Sequence, residues 1–159
     1  CRQNYKEMYQ LRNLSEIEKE SVLLGPVMVS LLIGGADGEM TGKEMERISE
    51  LIHVKTYSLK NDVEELYLEL EKKDVNSIVN GIVADMPEDW EARREVITAK
   101  LQTLSKSLKK MEKAFATQYL DSLKSIAVSI ANAAGGVFGI GTISESESEV
   151  LDLPMIERP

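Results

Sequence analysis

The chain has 159 residues, with 19 Lys and Arg against 27 Asp and Glu, one His and one Cys, for a net charge of −8. That length fits one domain or two small ones and supports a core without a disulfide or a metal. With only His53 and Cys1, no Cys/His zinc site assembles within one chain, and a Ser-His-Asp triad would have to use His53. The acidic surplus argues against nucleic acid as a partner, because phosphate-backbone binders carry excess basic charge.

Cys1 reads as a processing boundary rather than a lipid-modified cysteine, and a single Cys requires no oxidising compartment. Residues 1–13 read as an N-terminal extension. Ser15-x-x-Glu18 has the form of a capping box, with a hydroxyl for the third amide and a carboxylate reaching back. An uncharged stretch follows from Ser21 to Ala36, and Pro26 within it suits a first helical turn, where its missing N–H is harmless. Thr41-x-x-Glu44 repeats the capping box ahead of Met45, Ile48, Leu51 and Ile52. His53, near the end of that helix, reads as a cation complementing the helix dipole.

Val63, Leu66, Tyr67 and Leu70 follow the i, i+3, i+4, i+7 pattern, and Val75, Ile78, Val79, Ile82 and Val83 continue an apolar face. Pro87 separates the Val75–Ala84 helix from what comes next. Glu88–Ala134 contains neither Gly nor Pro, which is too long for one ordinary helix. Trp90, Ile97, Leu101, Leu104, Leu108, Met111 and Phe115 recur mostly every three or four residues along it. A helical hairpin with a break around Ser105–Lys110 is the preferred reading; the alternative is one long helix that pairs with a second copy in a homodimer. The uncharged Ser125–Ser144 stretch is long enough to cross a bilayer, yet its Ser, Asn and Gly content favours a buried helix running into a glycine loop. No run alternates as a strand would. The expected fold class is all-α, a helical bundle.

Charge is uneven. Between Arg93 and Lys124, eight basic residues face three acids, and Lys106, Lys109, Lys110 and Lys113 fall at helical spacing on one face. A solvated face explains them most simply. The competing reading is a patch for an anionic membrane surface or an acidic partner.

The segment Ile33–Glu44 can be laid on a twelve-residue calcium loop. Asp37 then takes the fifth position, Gly38 the sixth, Thr41 the ninth and Glu44 the twelfth, while Ile33 and Gly35 leave the first and third without side-chain oxygen. A second copy lies near the C-terminus, where Gly141, Ile143, Ser144 and Glu147 repeat Gly38, Met40, Thr41 and Glu44 with Ile140 in place of Asp37. The repeat implies a duplicated helix–loop–helix unit, with halves at 14–86 and 87–159. Together the two loops could set Asp37, Glu39, Glu44 and Glu147 around one divalent cation with oxygen ligands. The simpler alternative makes Glu44 and Glu147 capping residues alone.

The run Gly35-Ala36-Asp37-Gly38-Glu39-Met40-Thr41-Gly42-Lys43-Glu44, followed by an amphipathic helix, resembles the tellurite-resistance TerB-like family. The likeness spans Leu14 to Ile156, although its specific match is about ten residues plus the Ile143–Glu147 echo. It implies an all-helical domain built from a duplicated unit, a bacterial stress-response role, and a metal held by Asp37, Glu44 and Glu147. In the second half, Gly135–Gly141 replaces the Ala-Asp-Gly turn of the family. The expectation is therefore a non-enzymatic module, cytoplasmic or membrane-associated, that works through a protein partner. An enzyme using Glu39 and Glu44 as acid and base is the remaining alternative.

Overall fold

The computed structural model describes residues 8–35, 42–59, 62–135 and 150–159. Among these the chain is all-helical, with no strand. A short 3-10 turn at Tyr9–Leu11 leads into α1 (Glu16–Gly34), α2 (Gly42–Ser58), α3 (Val63–Glu71), α4 (Val75–Asp85), α5 (Trp90–Leu108) and α6 (Lys113–Gly135).

Three helices, α1, α4 and α5, start where polar side chains satisfy their first amides. The Ser15 box forms as expected: Glu18 N–H donates to Ser15 Oγ at 3.3 Å, and Ser15 N–H donates to Glu18 Oε1 at 3.0 Å. Asp74 and Asp89 cap α4 and α5 by accepting from the Ser77 and Ala92 amides at 3.1 and 3.0 Å. These two caps are visible in the sequence only as Asp residues ahead of apolar periodicity, without a glutamate three positions on to complete a box. The seam from Glu88 breaks at residues 109–112, between α5 and α6, so the hairpin reading holds. Likewise, the apolar face from Val63 to Val83 belongs to two helices, α3 and α4, separated by a turn capped by Asp74.

α1 lies at the centre, packed on α2, α3, α5 and α6. From Gly25 to Leu32 every residue of it is buried, which explains why Ser21–Ala36 carries no charge: a helix surrounded on all sides is apolar on all sides. No helix among the described residues is long and apolar enough to cross a membrane. The direction of each neighbour follows from its contacts. Gly25 faces Tyr119 while Gly34 faces Ile130, so α6 runs parallel to α1; Gly25 also faces Leu104 while Gly35 faces Trp90, so α5 runs antiparallel. Val63, Leu66, Tyr67, Leu70, Ile97 and Leu101 are fully enclosed, as their spacing predicts, and each such aliphatic or aromatic side chain contributes about 1.5–3 kcal/mol by leaving water.

One local expectation fails. Pro26 does not open a helix; it sits inside α1. There it removes the amide that would bond the Val22 carbonyl one turn earlier, a loss that normally breaks or kinks a helix. The Tyr119 hydroxyl of α6 donates to Val22 O instead. Gly25 makes room for it, because a Cβ at that position would overlap the Tyr119 hydroxyl and stand 3.1 Å from Leu104 Cδ2. Ser30 Oγ also donates to the Pro26 carbonyl at 2.7 Å.

Behind this contact lies a buried polar chain. Ser122 Oγ donates to the Tyr119 carbonyl at 2.6 Å and meets the Tyr67 hydroxyl at 2.9 Å. Ser122 has one proton and gives it to Tyr119, so Tyr67 donates to Ser122. Burial pushes both tyrosines well above the usual phenol range.

Candidate metal centre

At one end of the bundle α1 finishes against the last two turns of α6. A Cβ on Gly34 would stand 3.5 Å from Ile130 Cγ2 and 3.8 Å from Ile48 Cδ1, so the C-terminal ends of α1 and α6 and the first half of α2 share this tip. The N-terminus of α5 belongs to it as well, since a Cβ on Gly35 would lie 2.8 Å from both Trp90 Cζ3 and the Leu31 carbonyl. Gly35 is needed for that close approach and not for its backbone angle, because its φ is −91°.

The calcium-loop layout fits the helix boundaries only in part. Ile33 and Gly34 remain inside α1, and α2 begins at Gly42, which places Glu44 in its first turn. A carboxylate there is favoured by the helix dipole whether or not it binds anything. Asp37, Glu39 and Glu147, together with the hydroxyl caps Thr41 and Ser144, lie outside the described residues. Among the described residues no three Asp, Glu, His or Cys side chains are grouped so as to hold a metal ion.

The sequence pattern gives no sign of one tip residue, Arg93. It stands in the core-facing stripe of α5, one turn beyond Trp90, and is only 7% exposed. Its Nε donates to the Pro87 carbonyl at 3.2 Å, whereas its buried Nη1 has no hydrogen-bond partner among the described residues. A guanidinium stays charged in any protein environment, and leaving it partly unsatisfied is costly. Arg93 therefore brings fixed positive charge to the end of the bundle where a cation is expected.

One other expectation is corrected by a helix end. His53 is not a terminal cation, since α2 continues to Ser58; its Nδ1 meets Glu71 Oε1 of α3 at 2.5 Å, with the Tyr57 ring edge-on at 4.9 Å. Lys55 occupies the last turn instead, where its Nζ donates to Ser125 Oγ of α6 at 2.5 Å and partial burial lowers its pKa.

The four lysines do not share a helix face. Lys106 closes α5, Lys109 and Lys110 fall in the turn, and Lys113 opens α6. Lys109 pairs with Glu157, and Lys110 with Glu18 at 2.7 Å, so half of the proposed anionic-partner patch is neutralised within the chain. The groove of about 480 Å³ lined by Glu91, Arg94, Glu95, Thr98, Ala99 and Gln102 is a shallow trough along the outer face of α5, with mixed charge.

No family model matches the chain, and neither does any curated protein or solved structure.

Proposed function

We propose that this chain is a non-enzymatic, TerB-like stress-response module that holds a divalent cation at the α1–α6 tip and acts through protein contacts. The observation that carries the reading is the parallel course of α1 and α6, which brings Gly34 against Ile130. The segment with Asp37 and Glu39 leaves from the end of α1, Glu44 stands at the start of α2, and the segment leading to Glu147 leaves from the end of α6. Two carboxylate-bearing segments that start from one end of a bundle suit a hard cation, which takes six to eight oxygens from several parts of a chain. Neither imidazole nor thiol pairs are present in the composition, so magnesium, calcium or manganese fits better than a softer metal.

The test is the melting temperature in millimolar magnesium, calcium, manganese or zinc. A ligand of the folded state at tenfold excess over its Kd should raise it by about 3–6 °C. The rise should vanish in the Asp37→Asn/Glu44→Gln double variant. No rise with any of the four ions, or an equal rise in that variant, overturns the metal reading.

A further inference from the structure

We propose that Val22, Gly25, Pro26 and Tyr119 form a clasp that sets the register between α1 and α6, and that Tyr119 thereby positions the tip where both helices end. Three observations build it. Pro26 interrupts the hydrogen-bond ladder of α1 at Val22, a residue with no solvent exposure, so that carbonyl cannot turn to water for a donor. The Tyr119 hydroxyl supplies the missing donor from 97 positions away in sequence. Gly25 leaves the space through which the hydroxyl reaches the α1 backbone.

A proline within a helix is a point where the axis can change direction, because one rung of the ladder is gone and the ring displaces the preceding turn. A bond made there fixes more than a bond made elsewhere. The half of α1 beyond Pro26 runs through Val27 to Gly34 and ends against Ile130, so its angle decides where Gly34 stands relative to α6. Tyr119 is itself held: its ring is fully buried, and its backbone carbonyl takes the Ser122 proton. The clasp thus ties the proline turn of α1 to a fixed point on α6 and, through Ser122 and Tyr67, to α3. Its relevance to a cation rests on the reading above, whereas the clasp itself does not.

A double-variant cycle tests it. Tyr119→Phe removes the donor and strands the Val22 carbonyl, which should lower the melting temperature by roughly 3–10 °C. Pro26→Ala restores an amide at position 26 that can donate to Val22 O, so in that background the same Tyr119→Phe change should cost less than about a third as much. Equal losses in both backgrounds overturn the clasp, because they would mean that the hydroxyl does something other than replace the proline's missing amide.

The second measurement reads position instead of stability. With Cys1→Ser and spin labels at Lys43 and Asn132, both exposed, the wild-type tip should give one narrow distance distribution. Tyr119→Phe should displace or broaden it, and Pro26→Ala/Tyr119→Phe should restore it. An unchanged distribution in Tyr119→Phe removes the positioning role. If Tyr119→Phe fails to fold, Gly25→Ala stands in, since its methyl pushes the hydroxyl off the carbonyl while Tyr119 stays. A displaced tip without any cation-induced rise in melting temperature would keep the clasp and discard the metal.

Discussion

The two ends of the bundle are held by different means. At the α5–α6 corner the polypeptide ends wrap the turn with polar contacts: Gln10 to Glu112 at 3.0 Å, Glu18 to Lys110 at 2.7 Å, the Glu157 amide to Ser105 Oγ at 2.9 Å, and Glu157 to Lys109. Beneath them Leu151, Leu153 and Ile156 are buried, with Leu153 held at a φ of 51° that only a well-anchored non-glycine residue tolerates. At the tip, close packing takes over: glycine against indole, glycine against isoleucine, and a buried guanidinium with one N–H unpartnered among the described residues. The corner pairs Lys109 and Lys110 within the chain, whereas the tip holds a buried guanidinium that is only partly hydrogen-bonded among the described residues.

Substitutions that exchange these characters should separate the two ends. Gly35→Ala should act most strongly, costing about 1–3 kcal/mol, because its methyl meets both the Leu31 carbonyl and the Trp90 ring, and a backbone oxygen cannot step aside. Denaturant unfolding checks it, and Trp90→Ala in the same chain should recover part of the loss. Arg93→Met is expected to be neutral or stabilising by about 0–2 kcal/mol, since it replaces an incompletely paired buried charge by an apolar side chain of similar length. A drop beyond 2 kcal/mol would mean that the guanidinium is better served than its contacts indicate. If a cation occupies the tip, the same variant should also bind it more tightly.

Corner substitutions should be milder and pH-dependent. Glu18 has its pKa lowered from 4.5 to about 2, first by the Lys110 hydrogen bond and then by the Ser15 amide. A carboxyl depressed in the folded state stabilises above its unfolded pKa and loses that contribution as the pH falls through the folded one. The stability gap between wild type and Glu18→Gln should therefore be full at pH 7 and close between about pH 4.5 and 2. Acid melting curves of the two proteins measure it directly. Smallest of all is Lys109→Gln, which removes a pair whose side chains are 52% and 67% exposed and should move the melting temperature by about a degree or less.

Much of the fold could be read from local pattern. The periodicities of α2 to α5, the box at Ser15 and the break after Leu108 all follow from rules that operate within a few residues. What escaped was everything settled by distant contacts. Pro26 looks like a helix start because a local reading cannot include a hydroxyl from Tyr119. His53 looks like a terminal cation because Glu71, its partner, belongs to the next helix. The lysines look like one face because helical spacing continues through a turn that the backbone does not. For the metal centre, Glu44 is the one predicted ligand among the described residues, and spacing alone could not show that α1 and α6 end together or that Arg93 stands beside that end.

The packing of Trp90 against Gly35 has a practical consequence. It is the sole tryptophan in the chain, so the longest-wavelength intrinsic emission comes from the tip. An indole resting on a bare backbone senses small changes in how tightly the neighbouring turn closes and how much water reaches the ring. The protein thus carries its own optical probe at the tip, and a change in that fluorescence on adding a cation, or on altering Tyr119, can be followed in unlabelled protein.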